Sequence, residues 1–185
     1  MKSILYMDEN EVVTKDRVIE IQEGQVFTSF IGKEPATLKV SPEAKVWEVV
    51  RCAAYYHHDG IREQVVRENA VNCFLNFFGI PVVDGFCTLY KRVKSNFIDY
   101  YTGDYLYLPG MVVTAADWID NDRITCGYGL HLHPTLELSR IWNEGNGSRL
   151  LLCKVAIEDM SIFPYKIVQV RCRQIEVLRE VQEDL

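Results

Sequence analysis

Residues 111–157, MVVTAADWIDNDRITCGYGLHLHPTLELSRIWNEGNGSRLLLCKVAI, contain the pattern that decides the fold. The segment starts with a β-prone run and continues through a glycine-rich turn that carries two histidines. A helical pattern over 135–142 predicts a short helix, and the apolar run 149–157 predicts a buried strand. This order of elements predicts a strand–turn–helix–strand unit in the C-terminal half of the chain.

The segments on either side add further strands to this unit. FCTLYKRV, residues 86–93, alternates between apolar and polar side chains, as core strands do. Pro109 and Gly110 predict a turn. The last long apolar run, 166–177, changes phase near Arg173-Gln174, which predicts a β-bulge there. The expected fold class is α+β, with a twisted and mostly antiparallel sheet.

The N-terminal segment predicts a hairpin. Residues 17–31 contain two β-prone runs that flank Glu23-Gly24, and a two-residue connection with glycine in second place is typical of hairpins. Residues 38–40 predict a third short strand.

Two helices are expected after the hairpin. Ser41-Pro42-Glu43 combines an N-cap residue, a proline for the first turn and an acid, and predicts a helix that continues to about Tyr55. A second helix is expected over 61–78, ended by Gly79. The predicted domains are 1–84 and 85–185, with one compact unit as the alternative.

Composition narrows the class of protein. The chain has 185 residues, of which 48% are hydrophobic and 25% charged, as in globular proteins. Its net charge of −6 gives no general attraction to nucleic acid. Nucleic acid stays open as a partner, because Arg171 and Arg173 are candidates for a local basic patch. We expect no membrane segment and no signal peptide.

The six cysteines contain no CxxC pair, and several lie inside apolar runs. This pattern is typical of free thiols in a reducing cytoplasm. Buried free thiols are expected at Cys52, Cys73 and Cys153.

His131 and His133 are the strongest candidates for chemistry. Two residues apart on an extended segment, they should point the same way and contact one phosphate or one metal. The alternative is a turn in which one histidine bonds a carbonyl and the other faces solvent. Gly127 and Gly129 would let the backbone approach a ligand closely, or would simply form a tight turn.

A zinc site is a further alternative. Cys126, His131 and His133 are possible ligands, with Cys153 or Asp117 as a fourth. The spacing matches no common structural zinc motif, and we expect no metal.

Cationic and aromatic side chains are candidates for binding a nucleotide. Lys91 and Arg92 are suited to pyrophosphate, but only one of them can face a given side of an alternating strand. Trp118 and Tyr128 are candidates for stacking on an adenine or nicotinamide ring. Four further tyrosines share this possibility, although aromatic side chains in strands are more often plain core: Tyr100, Tyr101, Tyr105 and Tyr107.

The central segment resembles two kinds of protein. TAADW at 114–118 followed by CGYGLH at 126–131 is similar to small uncharacterised proteins common in phage genomes. At longer range, LYK at 89–91, GYGLH at 127–131 and LLCKV at 151–155 resemble the motif order of the ADP-ribosyltransferase fold. The HLH segment at 131–133 is also similar to that of RNA 2′-phosphotransferases, which share this fold.

The resemblance implies an ADP-ribosyltransferase-like sheet domain that handles NAD, ADP-ribose or another phosphate-bearing ligand. It implies Arg92, His131 and His133 as residues that act on the ligand. It implies cofactor contacts, with NAD as the cofactor, from Lys91, Gly127, Tyr128, Gly129 and Trp118. Lys91 stands where the family has His or Arg. No acid stands at 163–166, where the catalytic glutamate is expected.

Two functions follow from these patterns. The first is an ADP-ribosyltransferase-like enzyme, or a former enzyme, whose partner is a nucleotide-type small molecule. The second is a non-catalytic, phage-type interaction protein that acts on a host macromolecule. Both imply a cytoplasmic location, in the host cytoplasm if a phage encodes the chain.

Overall fold

The computed structural model describes residues 4–6, 18–21, 26–30, 37–40, 45–50, 53–58, 61–121, 127–140, 148–163 and 167–182. The chain divides into two compact units, Met1–Cys73 and Phe74–Leu185. This division lies before the boundary at residues 84 and 85 that the sequence predicts.

The first unit consists mainly of strands. Its sheet strands are β1 (Ile4–Tyr6), β3 (Val26–Phe30), β5 (Lys45–Val50), β6 (Ala53–His58) and β7 (Ile61–Val65). They are hydrogen-bonded in that order, with β1, β3 and β5 parallel and the pairs β5–β6 and β6–β7 antiparallel. A separate parallel pair consists of β2 (Val18–Ile21) and β4 (Thr37–Val40).

The predicted hairpin over 17–31 is wrong, although both of its strands exist. Strand β2 pairs with β4, and β3 lies between β1 and β5, so the two runs are not partners. Glu23 and Gly24 lie outside the described residues. Composition indicates which runs are strands, but pairing is decided by packing against the rest of the sheet. The third short strand is confirmed as β4.

The predicted helix that follows Ser41 is also wrong. Its residues form the antiparallel pair β5 and β6, whose main chains align Trp47 with Tyr56. KVWEVV is dominated by β-branched and aromatic side chains, which fit a pleated surface well. Tertiary pairing therefore outweighs the helix-start signal at residues 41–43, which lie outside the described residues.

Strand β5 is buried on both faces. Val46, Trp47 and Val49 are buried, and so is the carboxylate of Glu48. Glu48 is paired with His57, at 3.3 Å between Nε2 and Oε2, and with Arg62. Burial alone would raise the pKa of Glu48, but these two partners hold it below its usual value.

The second predicted helix is half confirmed. Its first residues form strand β7, a 3-10 turn covers Arg67–Asn69, and helix α1 covers Ala70–Phe78. The predicted end at Gly79 is confirmed: this residue has φ +65° and donates to Asn76, while Ile80 donates to Leu75. This pair of bonds is the Schellman arrangement that favours glycine.

The second unit contains two antiparallel sheets. The larger has the order β8 (Phe86–Val93), β11 (Arg149–Ala156), β14 (Gln174–Val181) and β9 (Val112–Thr114). The smaller has the order β10 (Leu130–Leu132), β13 (Val170–Cys172) and β12 (Met160–Ser161). Helix α2 covers Leu136–Arg140, and a 3-10 turn covers Ile157–Asp159. The strands predicted over 86–93 and 149–157 and the α+β class are confirmed.

The phase change near Arg173 is real, but it is not a bulge within one strand. Strand β13 ends at Cys172 in the smaller sheet, and β14 begins at Gln174 in the larger one, so Arg173 joins the two sheets. A bulge occurs instead between β11 and β14. There Leu152 faces Arg179 and Cys153 faces Val177, which leaves Leu178 unopposed.

The two sheets also meet at their edges. The main chains of Tyr90 in β8 and His133 just after β10 exchange hydrogen bonds of 2.9 and 2.7 Å. These bonds fix the histidine segment beside the strand that carries Lys91 and Arg92. Among the described helices, none has the length and apolar character needed to cross a bilayer.

Candidate functional site

The Phe74–Leu185 unit contains a cavity of about 340 Å³ beside strands β8 and β10. Seven of the eight residues that the sequence singles out line it; Trp118 is the exception. The titratable side chains in the lining are Lys91, Arg92, Asp99, Asp117, His131 and His133. Five tyrosines also line it: Tyr100, Tyr101, Tyr105, Tyr107 and Tyr128. The cavity therefore combines one cluster of charge with a largely aromatic wall.

The turn Gly127-Tyr128-Gly129 forms one side of the cavity. All three residues have positive φ, at +78°, +53° and +141°. A Cβ on Gly129 would lie 3.0 Å from the ring of Trp118 and 3.3 Å from the carbonyl oxygen of Cys172. A side chain at position 129 would need Trp118 to shift by a few tenths of an ångström, and the positive φ also favours glycine there. The ring of Trp118 packs against the turn at Gly129.

The turn is tied to the body of the unit by Arg171. This side chain is buried in β13 and donates to the carbonyl oxygens of Tyr128 and Ile119, at 3.0 and 3.1 Å, and also to Asn121. Its guanidinium carbon lies 5.6 Å from the centre of the Trp118 ring. Arg171 is thus a structural clamp for the two loops.

The basic patch suggested for Arg171 and Arg173 is wrong. Arg171 is 2% exposed, and Arg173 forms an ion pair with Asp159 at 2.6 Å. A buried cation that is hydrogen-bonded to carbonyl oxygens cannot contact the phosphates of a nucleic acid. In β13 the residues Val-Arg-Cys alternate between apolar and polar side chains, and this pattern gave no indication that Arg171 is buried.

His131 and His133 lie on the same side of their strand and both line the cavity, as their spacing indicates. Nδ1 of His133 lies 3.0 Å from the carbonyl oxygen of Val168, and Nε2 of His131 lies 3.4 Å from that of Gly127. Burial lowers the pKa of each ring to about 4, and the charge of Lys91 adds to this effect. Both rings are therefore neutral at pH 7.

Lys91 lies at the base of the cavity and is 7% exposed. Its Nζ donates to the carbonyl oxygen of His131 at 3.1 Å and lies 4.7 Å from the centre of the Tyr107 ring. Burial lowers the pKa of this ammonium, and attraction to Asp99 offsets part of that change. The ammonium has three N–H groups, so a ligand in the cavity can accept from it.

Arg92 contributes to the lining, but its guanidinium is held by two hydroxyls. Nη1 donates to Ser148 at 3.0 Å, and Nη2 donates to Ser139 of helix α2 at 3.3 Å. Neighbouring residues of a strand face opposite sides, and it is Lys91 that meets Tyr107 and Asp99. The better placed cation for a ligand is therefore Lys91.

Asp99 organises the tyrosine-rich loop on the other side of the cavity. Its carboxylate accepts from the main-chain N–H groups of Tyr101, Thr102 and Gly103 and from the Thr102 hydroxyl, at 2.7–3.1 Å. Burial alone would raise the pKa of Asp99, but these bonds together with Lys91 hold it below its usual value. This aspartate was not singled out from the sequence. The signal that could have found it is an Asp followed three residues later by Thr-Gly, a common turn pattern.

The tyrosines divide between core and rim. Tyr107 is 1% exposed and packs beneath Lys91, while Tyr101 is 76% exposed and its ring lies 6.5 Å from that of His131. Tyr128 is 46% exposed at the turn. Tyr105 accepts a hydrogen bond from the N–H of Ala116. The expectation that most of these aromatic side chains belong to the core is therefore wrong, because only Tyr107 is buried and the rings of Tyr101 and Tyr128 are exposed.

The suggested zinc ligands are only partly described. Cys126 lies outside the described residues. Asp117 accepts from the N–H of Tyr128 at 3.1 Å, and Cys153 is buried in β11. Within the described ranges, no three His, Cys, Asp or Glu side chains are placed to hold one metal ion.

Comparisons of the chain with protein-family models, with curated proteins and with solved structures gave no match.

Proposed function

We propose that the Phe74–Leu185 unit binds a phosphate-bearing nucleotide-type ligand, such as NAD or ADP-ribose, in this cavity. One observation carries the proposal: Lys91 is a buried cation at the base of an aromatic-walled cavity. A buried ammonium is costly unless anions or acceptors surround it. Its one direct protein acceptor among the described residues is the carbonyl oxygen of His131.

The rest of the cavity suits the other parts of such a ligand. The exposed rings of Tyr101 and Tyr128 offer faces for a base or a nicotinamide. The volume of about 340 Å³ is at the lower end of the range of small-molecule sites, so we expect it to hold part of a dinucleotide. The buried lysine and the exposed aromatic rings together support the interpretation of the sequence as ADP-ribosyltransferase-like.

The proposal concerns binding, with transfer chemistry lost or reduced. Asp99 is occupied by its own loop, and Asp117 lies exposed at the rim with one oxygen bonded to Tyr128. A transferase needs a free carboxylate beside the ribose, and the sequence at 163–166 offers none. Arg92, His131 and His133 remain the candidates to act on the ligand.

Calorimetry tests the proposal. Wild type is titrated at pH 7 with NAD, ADP-ribose and an RNA that ends in a 2′-phosphate, and at least one should bind. Lys91→Met should weaken that binding by about 1.5–3 kcal/mol, the range for a hydrogen bond to a charged group. His131→Ala should weaken it by about 1–3 kcal/mol. Lys94→Met is the matched control, because Lys94 lies outside the lining, over the ring of Tyr100 at 6.0 Å.

A second candidate is an interaction protein whose partner is a host macromolecule. The observation that favours it is the exposure of Tyr101, Tyr128 and Ile119 near the cavity, since aromatic residues are enriched at interfaces. If folded wild-type protein gives no heat with any of the three ligands, the nucleotide proposal fails and this candidate takes its place.

A further inference from the structure

The hydrogen bonds of the two histidines fix which ring nitrogen carries the proton. A carbonyl oxygen can only accept, so Nδ1 of His133, 3.0 Å from Val168, must be the protonated nitrogen. By the same reasoning Nε2 of His131 carries the proton that is donated to Gly127. The two rings are therefore in opposite tautomers.

Each neutral ring then keeps one nitrogen with a lone pair. These atoms are Nε2 of His133 and Nδ1 of His131. The main chain of His133 is occupied by Tyr90 and its Nδ1 by Val168, so Nε2 is the polar atom that this 94% buried residue has left for a ligand. At neutral pH the histidine pair accepts hydrogen bonds and does not supply positive charge.

This arrangement divides the cavity into two chemical parts. Lys91 donates, and a phosphate oxygen can accept from it. The two histidine nitrogens accept, and a phosphate dianion has no proton to donate to them. A hydroxyl group does donate, and a sugar carries several. Because the two acceptors belong to two separate side chains, each can take a hydrogen bond from a different hydroxyl of one ligand.

We propose that His131 and His133 bind the hydroxyls of a ribose ring, so that the cavity selects ligands with free 2′- and 3′-hydroxyls beside a phosphate held by Lys91. The inference rests on the proposed nucleotide function and names the part of the ligand that is recognised. The site discriminates by the number of ligand hydroxyls: a deoxy ligand offers neither ring nitrogen a donor, and at the buried His133 such an unmade hydrogen bond is costly.

Calorimetry at pH 7 with ADP and 2′,3′-dideoxy-ADP measures this preference. Wild type should bind ADP at least about tenfold more tightly than the dideoxy analogue. His133→Asn moves the acceptor away from the position of Nε2, because the amide oxygen lies nearer the main chain, while its amide N–H can still donate to Val168 as Nδ1 does. His131→Gln does the same for the bond to Gly127. Each variant should reduce the ADP preference to under about threefold.

The other outcomes separate the two proposals. Equal affinities in wild type, or a preference that survives in both variants, overturn the hydroxyl inference and leave nucleotide binding intact. Binding of NAD or ADP-ribose without binding of ADP also overturns the hydroxyl inference and leaves nucleotide binding intact. If no ligand binds, both proposals fall.

Nitrogen-15 NMR of the free protein gives a second measurement that needs no ligand. At pH 7 the spectra should show His133 protonated at Nδ1 and His131 protonated at Nε2. Either ring protonated at both nitrogens would overturn the inference, because it would then be a donor and a cation.

Discussion

Arg171 and Tyr128 are joined by a hydrogen bond of 3.0 Å from the guanidinium to the main-chain carbonyl oxygen of the tyrosine. The same guanidinium reaches Ile119, Asn121 and Ser161. One buried side chain thus holds two loops and a strand of the smaller sheet in place. The geometry of the glycine turn depends on it.

Replacement of Arg171 should therefore loosen the turn as well as destabilise the unit. Arg171→Met keeps much of the apolar stem but removes every donor, and leaves several carbonyl oxygens unsatisfied. We expect a loss of at least about 1–3 kcal/mol in the free energy of unfolding, the cost of leaving a buried acceptor unsatisfied, measured by urea denaturation. Arg179→Met, in the exposed part of β14, is the control and should change stability by less than about 0.5 kcal/mol. Equal effects of the two variants would contradict the clamp.

Gly129 should be far less tolerant of alanine than Gly127. Both have positive φ, but a Cβ on Gly127 meets open space, whereas one on Gly129 lies 3.0 Å from Trp118. Gly127→Ala should cost about 1–2 kcal/mol of stability from backbone strain alone. Gly129→Ala should cost at least about 1 kcal/mol more, because the ring or the backbone has to move. Urea denaturation of both variants gives the comparison, and a smaller cost at Gly129 would show that Trp118 yields freely.

Stability should fall as the pH drops from about 6.5 towards 4. The pKa values of His131 and His133 are lowered to about 4 in the folded chain, against 6.5 when unfolded. Between pH 6.5 and 4 the two histidines bind protons more readily in the unfolded chain than in the folded chain, so protonation favours unfolding. Each histidine contributes a slope of up to about 1.4 kcal/mol per pH unit. Besides burial, the charges of Lys91 and Arg171 lower the pKa of His131. Lys91, His131 and Arg92 lower the pKa of His133 in the same way. Asp117 opposes them at His131.

Urea denaturation at pH 7, 5.5 and 4.5 measures that slope. His133→Asn has one titrating ring fewer and should show a shallower loss of stability over the same range. An unchanged slope in this variant would mean that His133 is not the buried neutral group described here.

The buried thiols should resist alkylation in the native protein. Cys73, Cys87, Cys153 and Cys172 are free and buried. Burial raises the pKa of Cys87 to about 11 and that of Cys153 to about 12. At pH 8 little thiolate is available, and access is closed. Iodoacetamide labelling with peptide mapping should leave these four unmodified in native protein and modify them all in urea. Fast native labelling of Cys153 would contradict its burial. Cys52, also expected to be buried, lies outside the described residues.

Elements with one strong local pattern were predictable from the sequence. Strands β8 and β11 alternate or run apolar over eight residues, and they pair with each other along their whole length. Residues 41–55 were not predictable in the same way. A helix-start signal there competes with β-branched and aromatic side chains, and only the neighbouring strands decide between the two.

The site shows the same division. Spacing was enough to place His131 and His133 on one side, and the glycines of the turn indicated a close backbone approach. Alternation predicted that only one of Lys91 and Arg92 faces a given side, but both line the cavity, and the contacts of Lys91 with Tyr107 and His131 make it the better placed cation. Asp99 and Arg171 act through bonds to loops distant in sequence, and no periodic pattern reports such contacts. The ADP-ribosyltransferase-like function stays a proposal, and the nucleotide titrations test it.

The amine of Lys91 is positioned by a peptide oxygen, not by the imidazole of the residue that carries it. A substitution at position 131 that keeps the β10–β13 pairing should therefore leave this oxygen in place. A randomised library at this one position would sample new specificities around a constant cation.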